Sequence, residues 1–187
     1  MSLTNGFIEI SLPSWLVEGC EDRVFENDTS KMEFVIELTR RNIEEGGGPF
    51  GACVFDMDTG KLISCGVNLV LQNNISVLHA EVVAFMVAQS KLKSYSLAKA
   101  GNFELFSSSE PCIMCMGACL WSGIKRLVYG ASAEYAKRIG FDEGPISKEH
   151  WDYLRAKGVD VVGGFMADRV EELLEAYSLR NGVIYNP

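Results

Sequence analysis

The sharpest structural signal in the chain lies in residues 103–121, which read FELFSSSEPCIMCMGACLW. The apolar residues at the start of this segment predict a strand over Phe103–Ser107. Pro111 and the small and apolar residues that follow it predict a helix from Cys112 to about Trp121. The chain therefore passes from a strand to a helix here, and the remaining elements extend from this point in both directions.

Strands and helices alternate on both sides of this segment. Upstream, the pattern predicts a helix that opens with a capping box at Ser30 and Glu33, a hairpin with strands over 50–55 and 62–71, and a helix over 79–92. Downstream, it predicts strands over 126–130 and 159–162 and helices over 133–138, 147–157 and 167–178. This alternation predicts an α/β protein: a three-layer α/β/α domain around a central mixed five-stranded sheet.

The 187 residues predict a single domain, with an N-terminal arm over 1–29, a core over 30–138, and C-terminal helices and a tail over 139–187. Apolar residues make up 48% and charged residues 22%, which excludes disordered and collagen-like proteins. The longest apolar run, 82–88, is too short to cross a membrane, and the first basic residue is Arg23, so no charged signal-peptide region precedes it. We predict a cytoplasmic protein with no membrane partner.

The net charge of the chain indicates whether its partner is a nucleic acid or a small molecule. Seventeen Lys and Arg against 25 Asp and Glu give a net charge of −8. Basic residues never form a run longer than a pair, so the sequence lacks the positive stripe that neutralises phosphates. A nucleic-acid partner is therefore disfavoured, and we expect a small, weakly charged substrate.

The six cysteines are unevenly spread, at Cys20, Cys53, Cys65, Cys112, Cys115 and Cys119. Because the chain shows no signal segment, we predict a reducing compartment, in which metal binding or burial is expected before disulfide formation. The first three cysteines are expected to be small packing residues, and Cys119 a buried one. The remaining pair opens the helix described above.

Cys112, Cys115 and the segment His79-Ala80-Glu81 have the chemistry of a metal site. Cysteines three apart share a helix face, and a helix N-terminus favours thiolates over thiols. Two thiolates and one imidazole form a donor set that suits Zn²⁺. His79 and Glu81 do not share a regular helix face, so both reach one ion only if His79 lies at the very start of its helix. Three protein ligands then leave one position open, as in catalytic zinc sites, with Glu81 beside it as a proton carrier.

The combination of His79-x-Glu81 with Pro111-Cys112-x-x-Cys115 resembles the signature of the zinc-dependent nucleobase deaminases, the cytidine deaminase-like superfamily. The resemblance covers roughly residues 30–130. Further stretches look like the branch that holds guanine deaminases and tRNA adenosine deaminases, namely 48–52, Asn68, 110–118 and 128–131. The stretches 139–145 and 181–186 are similar to bacterial guanine deaminases in particular.

The resemblance implies a cytidine deaminase-like fold and hydrolytic deamination of a purine base, with guanine giving xanthine and ammonia. It implies one Zn²⁺ per chain on the metal ligands His79, Cys112 and Cys115, with Glu81 as the first catalytic carboxylate and Glu143 as a second. It also implies a homodimer, in some members with exchanged C-terminal elements, and a C-terminal tail that closes the pocket.

Base recognition needs hydrogen-bonding groups that match the edge of the base and an aromatic face against its ring. Asn68 offers both a donor and an acceptor on one amide. Phe50 and Phe141 are candidates to stack on the base or wall the pocket, and Tyr185 on the tail is a candidate lid residue. The predicted substrate-binding set is completed by two residues within the motifs, Ala80 and Asp142.

Other functions stay open. A tRNA adenosine deaminase would be favoured by a basic C-terminal helix, but acidic residues outnumber basic ones in that region. Deamination of cytosine, cytidine, a pterin or an amino-triazine is also open, because the motifs define the chemistry and not the ring. Outside this class, an inert zinc-stabilised binding module predicts four protein ligands on the metal, and a redox protein predicts a disulfide between Cys112 and Cys115.

Overall fold

The computed structural model describes residues 9–21 and 23–186. Within these ranges the helices are α1 Ser14–Gly19, α2 Asp28–Glu44, α3 Val70–Asn73, α4 Ala80–Leu92, α5 Leu97–Ala100, α6 Ile113–Ser122, α7 Ala133–Arg138, α8 Lys148–Ala156 and α9 Ala167–Leu179. The strands are β1 Gly51–Asp56, β2 Leu62–Val67, β3 Phe103–Ser109, β4 Arg126–Ala131 and β5 Asp160–Val162. None of the helices in the described ranges has the length and apolar character needed to cross a membrane.

The five strands form one mixed sheet in the order β2-β1-β3-β4-β5. β1 pairs antiparallel with β2 and with β3, whereas β3 with β4 and β4 with β5 are parallel pairs. Helices connect the parallel strands, because a tight hairpin cannot join parallel neighbours. The predicted central mixed five-stranded sheet is confirmed.

Helices cover both faces of the sheet. On one face, α1, α2 and α9 pack on the strands, and Met32 and Leu174 lie in one cluster with Phe106. On the other face, α4, α6 and α8 pack on the strands, and Ala84 lies in a second cluster with Leu105. The predicted three-layer α/β/α arrangement is therefore confirmed.

α2 begins earlier than the sequence predicts. The capping box at Ser30 and Glu33 is wrong: the N-cap is Asn27, whose side chain accepts a hydrogen bond from Ser30 N at 2.9 Å. Asp28 in the first turn contacts Arg126 at 2.6 Å, 98 residues away in the chain. This long-range ion pair holds the first turn in place, and no local pattern could reveal it.

The described part of the predicted arm packs on the core. Leu16 of α1 is buried in the cluster that α2 and α9 form on the sheet. Val24 forms an antiparallel β-bridge with Lys61, next to β2. Residues 1–8 of the predicted arm lie outside the described residues.

β2 is shorter than predicted, because the chain leaves the sheet at Asn68. The Oδ1 atom of Asn68 accepts a hydrogen bond from Val70 N at 3.2 Å, a local side-chain turn that ends the strand. The four residues of α3 follow at once, where the apolar pattern predicts continued strand. α5 is equally short and also absent from the prediction, since four residues are too few for a helical period to show.

An ion-pair cluster joins α2 to the amino ends of β3, β4 and β5; it consists of Lys31, Glu104, Arg126, Asp28 and Asp160. Lys31 Nζ lies 2.6 Å from Glu104 Oε1, and Glu104 Oε2 accepts a hydrogen bond from Arg126 at 2.8 Å. Lys31 and Glu104 are both buried. Removing one of these partners would leave a buried charge without compensation, so the cluster stabilises this end of the sheet only as a complete set.

Cys20, directly after α1, forms a disulfide with Cys65 of β2, with their Cα atoms 6.2 Å apart. The expectation that these two cysteines are unpaired packing residues is therefore wrong. Cys53 and Cys119 are buried free thiols, as expected. The 45 residues between Cys20 and Cys65 hide the pairing from local sequence patterns.

We expect Cys20→Ser to lower the thermal stability of the oxidised protein. The two cysteines are 45 residues apart, so in the chain-entropy view the bond contributes about 4 kcal/mol. For a chain of this size that corresponds to about 10 °C in Tm. Calorimetry without reductant measures the shift, and with dithiothreitol both proteins should unfold at the same temperature. Equal unfolding temperatures without reductant would contradict the disulfide.

Candidate active site

The N-termini of α4 and α6 meet next to the carboxyl end of β3. His79 is the N-cap of α4 and Cys112 is the N-cap of α6, and both have extended backbone. Because an N-cap lies outside the regular helix, His79 and Glu81 can approach one point although they are only two positions apart. His79 Nδ1 and Cys112 Sγ are 3.4 Å apart. His79 therefore lies at the very start of its helix, which is the position that a site shared with Glu81 requires.

His79, Cys112 and Cys115 could hold one metal ion, because their ligand atoms all lie within 4.8 Å of one another. This spacing fits donors that share a tetrahedral ion at about 2.0–2.3 Å, and the donor set of two thiolates and one imidazole suits Zn²⁺. Cys119 is not in this group, so the described residues supply three ligands and leave one position open. Cys112 and Cys115 are free thiols, so the disulfide that a redox protein predicts is not formed.

The two ligand cysteines differ in acidity. A hydrogen bond with Cys115 outweighs burial and, with help from His79, lowers the pKa of Cys112 to about 4. The same hydrogen bond, together with burial, raises the pKa of Cys115 well above its ordinary value. Burial acts to lower the pKa of His79, but Cys112 and Glu81 outweigh it and raise that pKa. The cysteine pair therefore retains a proton that Zn²⁺ must displace on binding.

Glu81 lies in the first turn of α4 and is buried. Its Oε1 accepts a hydrogen bond from the Ser107 hydroxyl at 3.4 Å, and its Oε2 accepts one from the Cys115 thiol at 3.3 Å. Burial, followed by the negative charge of Cys112, raises the pKa of Glu81. A buried carboxyl beside a metal site is suited to accept a proton and release it again.

A cavity of about 620 Å³ lies over these groups and is lined in part by His79, Glu81 and Cys112. Phe50 and Phe141 form an aromatic wall, with their ring centroids 5.0 Å apart in an edge-to-face arrangement. Residues 74–77 form another part of the wall. The volume falls within the range of small-molecule sites.

Asn68 is buried in the wall of this cavity. Its Oδ1 already accepts the hydrogen bond from Val70, whereas its Nδ2 has no partner among the described residues. A buried donor left unpaired costs about 1–3 kcal/mol. A ligand that accepts this hydrogen bond would recover that energy.

The loop that carries Glu143 forms a further side of the cavity, and Asp142 lines it as well. Glu143 is buried, and its carbonyl oxygen accepts a hydrogen bond from Ile113 N at the start of α6 at 3.1 Å. Burial, followed by the negative charges of Cys112 and Glu81, raises the pKa of Glu143 to about 8. The two predicted carboxylates thus share one cavity.

Tyr185 of the C-terminal tail covers part of the cavity. Its ring packs edge-on against Phe141, with the centroids 5.1 Å apart. Its hydroxyl is buried and has no partner among the described residues. A Cβ atom on Gly48 would lie 2.0 Å from this hydroxyl, so only glycine at position 48 lets the ring lie here. Within the single chain, Tyr185 of the tail therefore lies over part of the cavity.

Ala80 is the one predicted substrate-binding residue that does not line the cavity. It is fully buried and packs in the cluster between α4, α6 and the sheet, outside the cavity wall. A role for Ala80 in binding therefore rests on its main-chain N–H, which at the first position of α4 has no acceptor within the helix.

Several polar residues of the site were not predicted, including Ser107, Glu110 and Asn186. Ser107 contacts Glu81, and Glu110 accepts hydrogen bonds from Ala133 N at 2.9 Å and from the Trp151 indole at 3.0 Å. Asn186 lines the cavity. The position of Ser107 and Glu110 at the carboxyl end of a buried strand was the signal that could have found them, and for Asn186 the signal was its place in the stretch 181–186.

Residues 25–131 match the family described as the cytidine and deoxycytidylate deaminase zinc-binding region. Because the match spans more than half of the chain, the protein belongs to this family of zinc-dependent deaminases. The three-ligand site and the acidic residue beside it agree with a zinc-dependent aminohydrolase.

Proteins similar to this chain include guanine deaminases and a tRNA-specific adenosine deaminase. The solved structure of guanine deaminase from Nitrosomonas europaea is 40% identical, with a TM-score of 0.91 over 94% of this chain and 98% of that chain. The tRNA-specific adenosine deaminase of Haemophilus influenzae is 32% identical over 81% of this chain and 83% of that protein. The guanine deaminase of Bacillus subtilis is 36% identical over 66% of this chain and 76% of that protein.

Proposed function

We propose that this enzyme hydrolyses guanine to xanthine and ammonia. The observation that carries the proposal is the unpaired donor of Asn68 in an aromatic-walled cavity that also holds His79, Cys112 and Glu81. Guanine offers ring nitrogens and a carbonyl oxygen as acceptors, and its flat ring suits an aromatic wall. The similarity to the guanine deaminases of N. europaea and B. subtilis supports the same substrate.

When bound to His79, Cys112 and Cys115, Zn²⁺ supplies Lewis-acid chemistry that makes water reactive near neutral pH. Glu81 takes a proton from the attacking water and delivers it to a ring nitrogen, which makes the carbon bearing the amino group, C2 of guanine, more electrophilic. The water oxygen then adds to that carbon. The Glu81 carboxyl is buried between Ser107 and Cys115, and these two contacts hold it in place for both proton transfers.

The amine needs a further proton before it leaves as ammonia. We assign this step to Glu81 and Glu143 together, because both are buried and line the same cavity. The hydroxyl of the tetrahedral adduct releases this proton to one of the two carboxylates, which passes it to the amine; the C2–N bond then breaks and the C2–O bond becomes a carbonyl.

Substrate recognition falls to the walls of the cavity. Phe50 and Phe141 provide the aromatic surface, Asn68 provides the hydrogen bond to the base, and Asp142 lines the same side as Phe141. Tyr185 on the tail shields the bound base from bulk water, so tail opening is needed for product release.

The structure also bears on the tRNA alternative. Tyr185 covers the cavity, so an anticodon loop would first have to displace the tail. The net charge of −8 provides little attraction for phosphates. Both features favour a free base over an RNA substrate.

We propose a homodimer that uses the outer face of α6. This helix has no charged residue, and Trp121 near its end is 82% exposed. Exposed apolar surface of this kind is typical of a protein contact. Exchange of C-terminal elements stays a prediction. Sedimentation velocity tests the homodimer, and a single-chain mass at micromolar concentration would refute it.

We further propose that the chain is a single deaminase domain located in the cytoplasm. The described arm, core and C-terminal helices contribute to the same hydrophobic clusters, which supports one folding unit. A reducing cytoplasm would keep Cys20 and Cys65 as thiols in the cell. Alkylation of the protein in fresh lysate, followed by mass spectrometry, tests this, and a disulfide in that sample would contradict the location.

Ammonia release from zinc-analysed protein tests the substrate, with guanine, adenine, cytosine, cytidine and a tRNA anticodon stem-loop compared. We expect rapid release from guanine alone. Release from another compound only would retain the reaction and refute the substrate. No release from any compound, at one zinc per chain, would refute the proposed function and favour an inert module.

Replacing Glu143 tests the second carboxylate. Glu143→Gln keeps the size of the side chain and removes its proton-carrying ability, so we expect turnover of guanine to fall about 10²-fold or more. Zinc per chain should equal that of the wild type, because Glu143 is not a metal ligand. The exposed Glu149→Gln is the matched control. Wild-type turnover in Glu143→Gln would remove Glu143 from the mechanism.

A further inference from the structure

The side chain of Asn186 holds the loop that carries Glu143. Its Nδ2 donates a hydrogen bond to the carbonyl oxygen of Gly140 at 2.7 Å, and its Oδ1 accepts one from Asp142 N at 2.8 Å. These two backbone groups flank Phe141. One amide on the tail therefore fixes the backbone on both sides of the aromatic residue that walls the cavity.

The loop has anchors of its own besides this clamp: Gly140 N donates to Lys137 O at 3.0 Å, and Gly144 N donates to Asp142 Oδ1 at 2.8 Å. The amide N–H of Phe141 bonds to Ala136 O at 3.1 Å, so the loop is tied to α7 where it begins. Further along, Gly144 adopts a φ of +73°, and a Cβ atom there would lie 2.5 Å from the side chain of Ile113. Between these points, Asn186 supplies the partners of Gly140 O and Asp142 N.

Glu143 follows directly after the clamped residues and connects them to the metal-binding helix. Its carbonyl oxygen accepts the hydrogen bond from Ile113 N, one residue after Cys112. A displacement of the loop would therefore move the Glu143 carboxyl and the Phe141 ring together. The same displacement would loosen the turn at the start of α6.

Asn186 itself is exposed, whereas Phe141 and Glu143 are buried. The tail on which it lies has no regular secondary structure and is anchored at its start by the Tyr177 hydroxyl, which donates to Val183 O at 2.7 Å. The clamp thus lies at the exposed outer end of a segment without regular secondary structure.

We propose that Asn186 is a positioning residue that holds Phe141 and Glu143 in their working places only while the tail is docked. When the tail opens, Glu143 and Phe141 then move out of place together. Proton transfer through Glu143 therefore stops while the product is released. The catalytic part of this inference rests on the proposed function, whereas the structural part does not.

Hydrogen exchange of the substrate-free protein tests the structural part. Asn186→Ala should raise the exchange rate in residues 140–144 about tenfold or more, because two hydrogen bonds are lost. The matched control is Asn102→Ala, which removes exposed hydrogen bonds to Asp58 in the β1–β2 turn. Unchanged exchange in residues 140–144 would overturn the proposal whatever the substrate is.

Kinetics with guanine test the catalytic part. Asn186→Ala should lower kcat about tenfold through Glu143 and also raise KM through the displaced Phe141 wall, at wild-type zinc content. In a Glu143→Gln background it should lower kcat by less than about twofold further, because the carboxylate that it positions is already inactive, whereas the rise in KM through Phe141 should persist. Independent, multiplying effects would show a merely structural role and overturn the proposal. If no variant or wild type acts on guanine, the proposed function fails, and the exchange result alone decides on the clamp.

Discussion

Glu81→Gln is expected to lower the turnover of guanine by about 10³-fold or more while the zinc content stays at one per chain. The Glu81 carboxyl is buried and contacts Ser107 and Cys115, and its pKa is raised by burial. Glutamine retains the shape and one acceptor but cannot carry a proton. Ammonia release and metal analysis on the same preparation measure both quantities.

The control for this variant is a glutamate outside the cavity, Glu149, which is exposed in α8. Glu149→Gln should leave turnover and zinc content unchanged. A Glu81→Gln protein that retains zinc and more than a tenth of wild-type turnover would refute the role of Glu81 as proton carrier. The proton would then have to be carried by Glu143, the second carboxylate of the proposed relay.

Cys112→Ser is expected to remove bound zinc and, with it, all measurable deamination. Cys112 is the N-cap of α6, its thiol lies 3.4 Å from His79 Nδ1, and the nearby Cys115 holds its pKa at about 4. A serine hydroxyl is a far weaker zinc ligand than a thiolate, and two remaining protein ligands do not hold the ion. Zinc per chain, measured after gel filtration, should fall to background.

Cys119→Ser provides the matched comparison for Cys112→Ser. Cys119 is four residues after Cys115 and fully buried, but it lies outside the group of ligand atoms found in the described part of the chain. Its replacement should leave zinc and activity in place. Loss of zinc from a folded Cys119→Ser protein would mean that four cysteine and histidine ligands close the site, which is the arrangement of an inert module.

The metal ligands could be predicted from the sequence because their spacing restricts their geometry. His79 and Glu81 can meet one ion only if a helix begins between them, and the structure begins α4 at Ala80. Cys112 and Cys115 follow the same logic at the start of α6. The alternation of strands and helices likewise sufficed for the three layers and the five strands.

The features that could not be predicted depend on contacts between distant residues. The start of α2 shows this, because Asn27 and Ser30 are both good N-caps and the choice between them follows the contact of Asp28 with Arg126. The disulfide joins residues 45 positions apart. The clamp of Asn186 on residues 140–142 depends on where the tail crosses the loop, which no local pattern records.

The ion-pair cluster lies at the amino ends of the parallel strands, and the cavity lies at their carboxyl ends. On β3, Glu104 belongs to the ion-pair cluster and Ser109 lines the cavity. These two residues are about 17 Å apart along the strand. At that distance, the free-energy effects of substitutions in the two places add independently. Substitutions in the cavity can therefore change which ring it accepts without destabilising the ion-pair cluster. A deaminase of this fold can thus evolve towards free bases or towards tRNA.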